Sequence, residues 1–260
     1  MSVLPWQPRR PLLSRRNGGF LGGLAVVIGL ILLADAVITV LWEDPFTTIF
    51  TQRDQKTLSK ELAHAESQPL PEGTLELVRR AGSPTERMAL LANHERATAR
   101  PGDPLGRIFI PKTGRNFVFV SGTGVETLKK GPGHYWGTAL PGERGTVAIA
   151  GHRTTYGAPF HNLGKLRQGY AITLTMPYGR FSYSVEALRS VRPTAVTVLG
   201  DRNFQRLVLT TCDPMGSDAK RLVVFARLQQ VTPRGRAIEL VPIAPSPPQW
   251  LAAGLPTRQG

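Results

Sequence analysis

Hydrophobic positions run together at length only once along the chain. From Phe20 to Trp42 (FLGGLAVVIGLILLADAVITVLW) the one charged residue is Asp35. A helix rises about 1.5 Å per residue and a hydrocarbon core is about 30 Å thick, so 20–42 is predicted to be a transmembrane helix. From Glu43 to Arg100 polar residues dominate. Helical patches at Gln52–Glu66 and Thr85–Ala99 are interrupted by Pro69, Pro71 and the Gly82-Ser83-Pro84 turn. This texture predicts a partly helical juxtamembrane stalk over 43–100.

Beyond Pro101 the pattern changes to short β-branched and aromatic runs separated by Gly and Pro. They are Arg107–Ile110, Asn116–Val120, Thr146–Ala150, Ala171–Met176, Phe181–Ala187, Ala195–Leu199, Leu207–Thr211 and Leu222–Leu228. Eight short strands at this spacing predict a mainly β fold over 101–231, a compact barrel or sandwich. Phe181–Ala187 alternates with period two, as a strand with one buried face should, whereas Thr146–Ala150 and Leu222–Leu228 are more continuously apolar and read as central strands. The Pro-rich tail, 232–260, has no core-forming pattern and is predicted to be extended.

Charge orients this scheme. The chain carries a net +14, and Arg9, Arg10, Arg15 and Arg16 precede the apolar run while Glu43 and Asp44 follow it. The positive-inside bias therefore predicts a cytoplasmic tail (1–19), a single pass through the cell membrane and an extracellular body. A cleaved signal peptide is the competing reading, because Ala34-Asp35-Ala36 fits a small-x-small cleavage site. The apolar run resumes at Ala36, which favours an uncleaved anchor. A basic body suits anionic surroundings such as lipid headgroups or wall polymers. Zinc-finger spacing, an RNP signature and an aromatic-plus-basic strand cluster are all missing, so nucleic acid is not an expected partner.

Export changes how the single cysteine, Cys212, is read, since one cysteine cannot form an internal disulfide and an exported thiol risks oxidation. A buried hydrophobe or an intermolecular bridge would explain it blandly. Its setting points to chemistry. Leu207-Val-Leu-Thr-Thr-Cys212-Asp-Pro is a strand that ends on the cysteine, and Thr146-Val-Ala-Ile-Ala-Gly-His152-Arg is a strand that delivers a histidine just past its end. Arg221 opens the next strand after a loop containing Gly216 and Ser217. Thiol acyl transfer needs an ionisable thiol, a proton carrier and a fixed cation where charge develops on a carbonyl oxygen. Cys212, His152 and Arg221 would fill these roles, with no cofactor. Read from residues alone, another Cys-His acyl transferase or protease, or a non-catalytic wall-binding module, remains open.

The same residues resemble the sortase family. Val208-Leu-Thr-Thr-Cys212 fits the TLxTC signature, except for Val208 where Thr is typical, and Leu209–Pro214 fits the class E variant throughout. Gly151-His152-Arg153 matches the family's histidine motif, and Arg221 its catalytic arginine. The likeness extends to Ile108-Phe-Ile-Pro-Lys112, Gly131-Pro-Gly-His-Tyr135, Ala148–Phe160 and Trp42-Glu-Asp-Pro-Phe-Thr-Thr. Departures are Tyr170 after Gly169, where Asp is common, and Thr113-Gly-Arg in place of a more apolar lead-in.

The resemblance implies an eight-stranded sortase-type β-barrel acting on surface proteins that bear a C-terminal LPxTG or LAxTG sorting signal. The signal would be cut between Thr and Gly through a Cys212 thioester, and the acyl group passed to an amine of a lipid-linked peptidoglycan precursor. It also makes Tyr135 a residue that selects the second signal position, and Thr210 and Thr211 residues that position the signal. His161 lacks carboxylate or thiol company, so no metal is expected. His134 reads as a structural loop histidine and Asp213 as a cap for the turn at Pro214.

Overall fold

The computed structural model describes residues 16–41 and 45–239. The proposed anchor exit at Trp42, most of the basic tail and the Pro-rich segment from residue 240 lie outside these residues. The chain divides into two units, Met1–Trp42 and Glu43–Gly260.

The first unit holds one helix, α1 (Arg16–Leu41). The side chains described on it, from Leu24 to Leu33, are exposed. The sequence predicted a span over 20–42; among the described residues no helix is long and apolar enough to cross a membrane.

In the second unit, α2 (Pro45–Ser67), α3 (Glu72–Arg80) and α4 (Pro84–Thr98) precede β1 (Pro104–Ile110) and β2 (Arg115–Ser121). A short α5 (Val125–Lys130) leads to β3 (Gly133–His134), β4 (Thr146–Ala150), β5 (Ala171–Met176), β6 (Gly179–Val191), β7 (Arg206–Asp213) and β8 (Lys220–Pro233), and α6 (Arg236–Glu239) follows. The strands close into a barrel in the order β1-β2-β3-β4-β7-β8-β6-β5. Pairing is antiparallel except at β2–β3 and β4–β7.

The alternation of each strand sorts its side chains. Val147 and Ile149 of β4, Leu207 and Leu209 of β7, and Leu222 and Val224 of β8 join the main core, which continues onto Val78, Met88 and Leu91 of α3 and α4. The intervening residues Ala148, Val208 and Val223 form a separate cluster on the opposite face, with Tyr135, Val191, Val198, Leu199 and Phe225 packed on it.

The eight-strand count predicted from sequence is right, but one member differs. Ala195–Leu199 is not a strand: Val196–Leu199 is a 3-10 turn, and Val198 and Leu199 are apolar because they cover the outer cluster. The missing strand is β3, two residues squeezed between β2 and β4. A Cβ on Gly133 would lie 2.1 Å from the Gly122 carbonyl oxygen, so only glycine fits there.

The segment read as a stalk is folded onto the barrel. Leu58 and Leu62 of α2 pack on Val118 and Val120, the outward-facing residues of β2. The Gln55 side chain donates to the carbonyls of Val118 (2.9 Å) and Lys130 (2.8 Å) and accepts from the Val118 amide (2.7 Å). Main-chain groups that would otherwise be unpaired beneath the helix are thereby satisfied.

Candidate active site

Register places the three candidate catalytic residues on one rung. Cys212 and Arg221 are directly opposed across β7 and β8, which sets their Cα atoms about 4.5–5.5 Å apart. Ala150, the last residue of β4, pairs with Thr210 in the parallel β4–β7 ladder. The Gly151 amide continues that ladder by donating to the Thr210 carbonyl (3.1 Å), so His152 comes level with Cys212. By alternation His152, Cys212 and Arg221 share the outer face with Ala148, Val208 and Val223.

Gly151 is required at the strand end by a close approach, because a Cβ there would meet the Phe160 ring at 2.6 Å. The Thr211 hydroxyl donates to the Gly151 carbonyl at 2.7 Å. Its side chain thus faces away from Cys212 and ties the histidine loop to β7. Thr210 lies on the cysteine side, where its hydroxyl is 2.9 Å from the phenol of Tyr135. Tyr135 and Thr210 therefore form one contiguous part of the outer face beside Cys212, whereas Thr211 belongs to the support beneath it.

Burial pushes the His152 imidazole below its ordinary 6.5, so the ring is neutral at pH 7. Its Nε2 is buried without a hydrogen-bond partner, and the ring lies against Tyr156, centroid to centroid 4.9 Å at 43°. Cys212 is half-buried with a free thiol. Arg221 is also half-buried, and its Nη1 donates to the carbonyls of Asp218 (2.9 Å) and Lys220 (3.0 Å). These contacts fix the guanidinium beside the β7–β8 loop and leave its remaining donors uncommitted among the hydrogen bonds described.

Sequence reasoning missed the clamp around this rung. Arg153 Nη1 donates to the Cys212 carbonyl at 2.7 Å and to Asp213 Oδ1 at 2.6 Å. Ser190 of β6 donates to Asp213 Oδ2, also at 2.6 Å. Asp213 is therefore a bridge between β6, β7 and the histidine loop, not the turn cap predicted for it. The hydrogen bonds from Ser190 and Arg153 hold its carboxyl below the usual carboxylate range. The adjacency of Arg153 to His152 and of Asp213 to Cys212 was the available signal.

His134 and His161 serve the fold. His134 is buried, with Nε2 2.9 Å from the Ala139 carbonyl, and burial pushes it down to about 4. His161 Nδ1 is 3.0 Å from the Arg153 carbonyl. Among the described residues no group of His, Cys, Asp and Glu gathers as a metal site would.

Comparison with known proteins agrees with this geometry. A family profile described as the sortase domain matches residues 108–229. Sortase D of Bacillus subtilis (strain 168) is 31% identical over 48% of this chain and 64% of its own length, so the chain spans under two thirds of that relative. Sortase E from Streptomyces avermitilis, a solved structure, is 39% identical over 52% of this chain and 93% of that one, with a TM-score of 0.48. A Clostridium perfringens sortase C, solved with the C-terminal cell wall sorting motif, covers 67% of this chain and 98% of that one at 22% identity and a TM-score of 0.56. That last likeness speaks for the fold alone. The matched profile and the curated sortase relatives, a Streptomyces sortase E at 29% identity among them, agree with the cysteine motif on β7: residues 108–229 are a sortase domain.

Proposed function

We propose that the protein is a sortase transpeptidase that cleaves a C-terminal LAxTG or LPxTG signal between Thr and Gly and transfers the acyl group to an amine of a lipid-linked peptidoglycan precursor. The observation that carries the reading is the single rung of His152, Cys212 and Arg221 across β4, β7 and β8. The sortase-domain match over residues 108–229 supports the reaction class.

The steps follow from the positions. Cys212 Sγ attacks the threonine carbonyl carbon, and its proton passes to the neutral His152 imidazole. The oxyanion that forms is met by the Arg221 guanidinium, fixed from behind by the Asp218 and Lys220 carbonyls. When the Thr–Gly bond breaks, the imidazolium returns the proton to the leaving amine. An acceptor amine then attacks the thioester, gives up a proton through His152 and releases the thiol. Tyr135 and Thr210, joined at 2.9 Å on the cysteine face, would line the second signal position.

Incubation of the protein with LAxTG and LPxTG peptides and an amine, followed by mass spectrometry, tests this. A thioester adduct on Cys212 and an amide product are expected, both missing in Cys212→Ala. A chain that forms neither with either peptide is not a sortase of this kind.

The proposal places α1 in the membrane, with the second unit on the outer face. Support comes from the apolar run over 20–42, whose one charge is Asp35, and from the exposed apolar side chains described on α1, such as Val26, Leu32 and Leu33. The arginines before the run and the acids after it set the direction.

A further inference from the structure

We propose that Thr47, in the first turn of α2, is a positioning residue that holds the catalytic histidine loop from outside the barrel. The proposal rests on His152 acting in acyl transfer. The loop from Arg153 to Pro159 leaves β4 and returns at Phe160, whose amide donates to the His152 carbonyl at 3.0 Å. Its foot is held by the barrel through Thr211 and Arg153. Its tip meets the barrel through Arg115 Nη1, which donates to the Gly157 carbonyl at 3.3 Å.

The tip carries two non-glycine residues in the left-handed region, Tyr156 at φ 53° and Ala158 at φ 39°, with Gly157 between them at φ 69°. A side chain in that region is unfavourable, so the conformation persists only where its surroundings hold it. Besides Arg115, what holds it is α2, which alone among the described residues reaches the Tyr156 amide. The Tyr156 amide donates to Thr47 Oγ1 at 2.8 Å, and Thr51 lies so close to Gly157 that a Cβ there would meet its methyl at 3.3 Å. Thr51 is itself buried and donates to the Lys129 carbonyl at 3.2 Å, one turn before the Gln55 lock, so this end of α2 cannot shift freely.

Tyr156 then transmits the position. With its amide fixed by Thr47, its ring lies 4.9 Å from the His152 ring, closing one side of the imidazole. A helix that sequence reads as a spacer thus forms part of the support of the proton carrier, and Thr47 is the atom-level connection. Thr47 touches no reacting atom.

Thr47→Val removes the acceptor at nearly constant shape, and Thr47→Ser restores it. In the full-length protein in detergent, Thr47→Val is expected to lower kcat for transpeptidation roughly ten- to a hundredfold, the range a displaced catalytic group produces, with KM for the signal peptide within about twofold. Thr47→Ser should return kcat to near the parent. The ring resonances of His152, resolved by selective labelling of the five histidines, should move in Thr47→Val and not in Thr47→Ser. Parent-like kcat in folded Thr47→Val, equal loss in the Ser and Val variants, or an unmoved His152 resonance would each overturn the proposal. If the parent transfers no acyl group at all, the sortase reading fails, while the His152 resonance still decides whether Thr47 positions the ring.

Discussion

Arg221 does two things at once: it faces Cys212 across the ladder and its guanidinium is braced by the Asp218 and Lys220 carbonyls. Lysine would keep the charge but has no planar fork to satisfy both functions. Arg221→Lys should therefore slow thioester formation by about two to three orders of magnitude in single-turnover mass spectrometry; an equal rate would mean that charge alone suffices. Thr211 illustrates the opposite kind of residue. Its hydroxyl is committed to the Gly151 carbonyl, so Thr211→Val should lower unfolding stability by about 1–2 kcal/mol in denaturant titrations, because the buried carbonyl loses its donor. The cysteine, histidine and arginine were legible because each stands where an apolar run stops or starts. The Arg153–Asp213–Ser190 clamp was not, because its members are 60 and 23 positions apart and adjacency to His152 and Cys212 marks only two of them, without saying that they pair.

Two strands were read to the residue: Thr146–Ala150 and Ala171–Met176 match β4 and β5. They are buried on both faces or alternate cleanly, so periodicity reports them. Periodicity fails at Ala195–Leu199, whose apolar residues face a protein surface without pairing, and at β3, which is too short to show any period. It also fails for α2, where one pair of leucines and one glutamine decide the docking within an otherwise polar helix. Gln55 satisfies three main-chain groups of the β2 region, so Gln55→Ala should destabilise the second unit by roughly 1–3 kcal/mol. Hydrogen exchange should show the loss concentrated at the Val118 amide; unchanged protection there would demote the lock.

Glu95, half-buried, and His134, buried, contribute opposite trends to how stability varies with pH. Glu95 is raised from an ordinary 4.5 to about 7, chiefly by burial, with Asp103 adding and Arg236 opposing. Between about 4.5 and about 7 the folded chain keeps a proton that the unfolded chain releases, so this group's effect lowers stability as pH rises. His134, down at about 4 from 6.5 through burial, acts the other way, and stability falls as pH drops below 6.5. The two trends oppose each other from about 4.5 to 6.5. Glu95→Gln should remove one of them: thermal unfolding should then decline steadily on acidification from 6.5, and the variant should exceed the parent at pH 7.5 by roughly 1–3 kcal/mol. A variant that tracks the parent across this range would mean that Glu95 titrates normally. For the membrane arrangement, protease added to wall-stripped cells should digest the second unit and spare the basic N-terminus; mature protein free in the medium and beginning at Val37 would instead indicate a cleaved leader. The parallel pairing of β4 with β7 has one more consequence. Between His152 and Cys212 the chain travels to the far side of the barrel to build β5 and β6, and Arg221 arrives only with β8. Such non-local closure is slow, and no single hairpin contains all three groups. A chain emerging N-terminus first therefore brings the three candidate groups together only when its last strand zips into place, so under the proposed function completion of folding is itself the step that switches the thiol on.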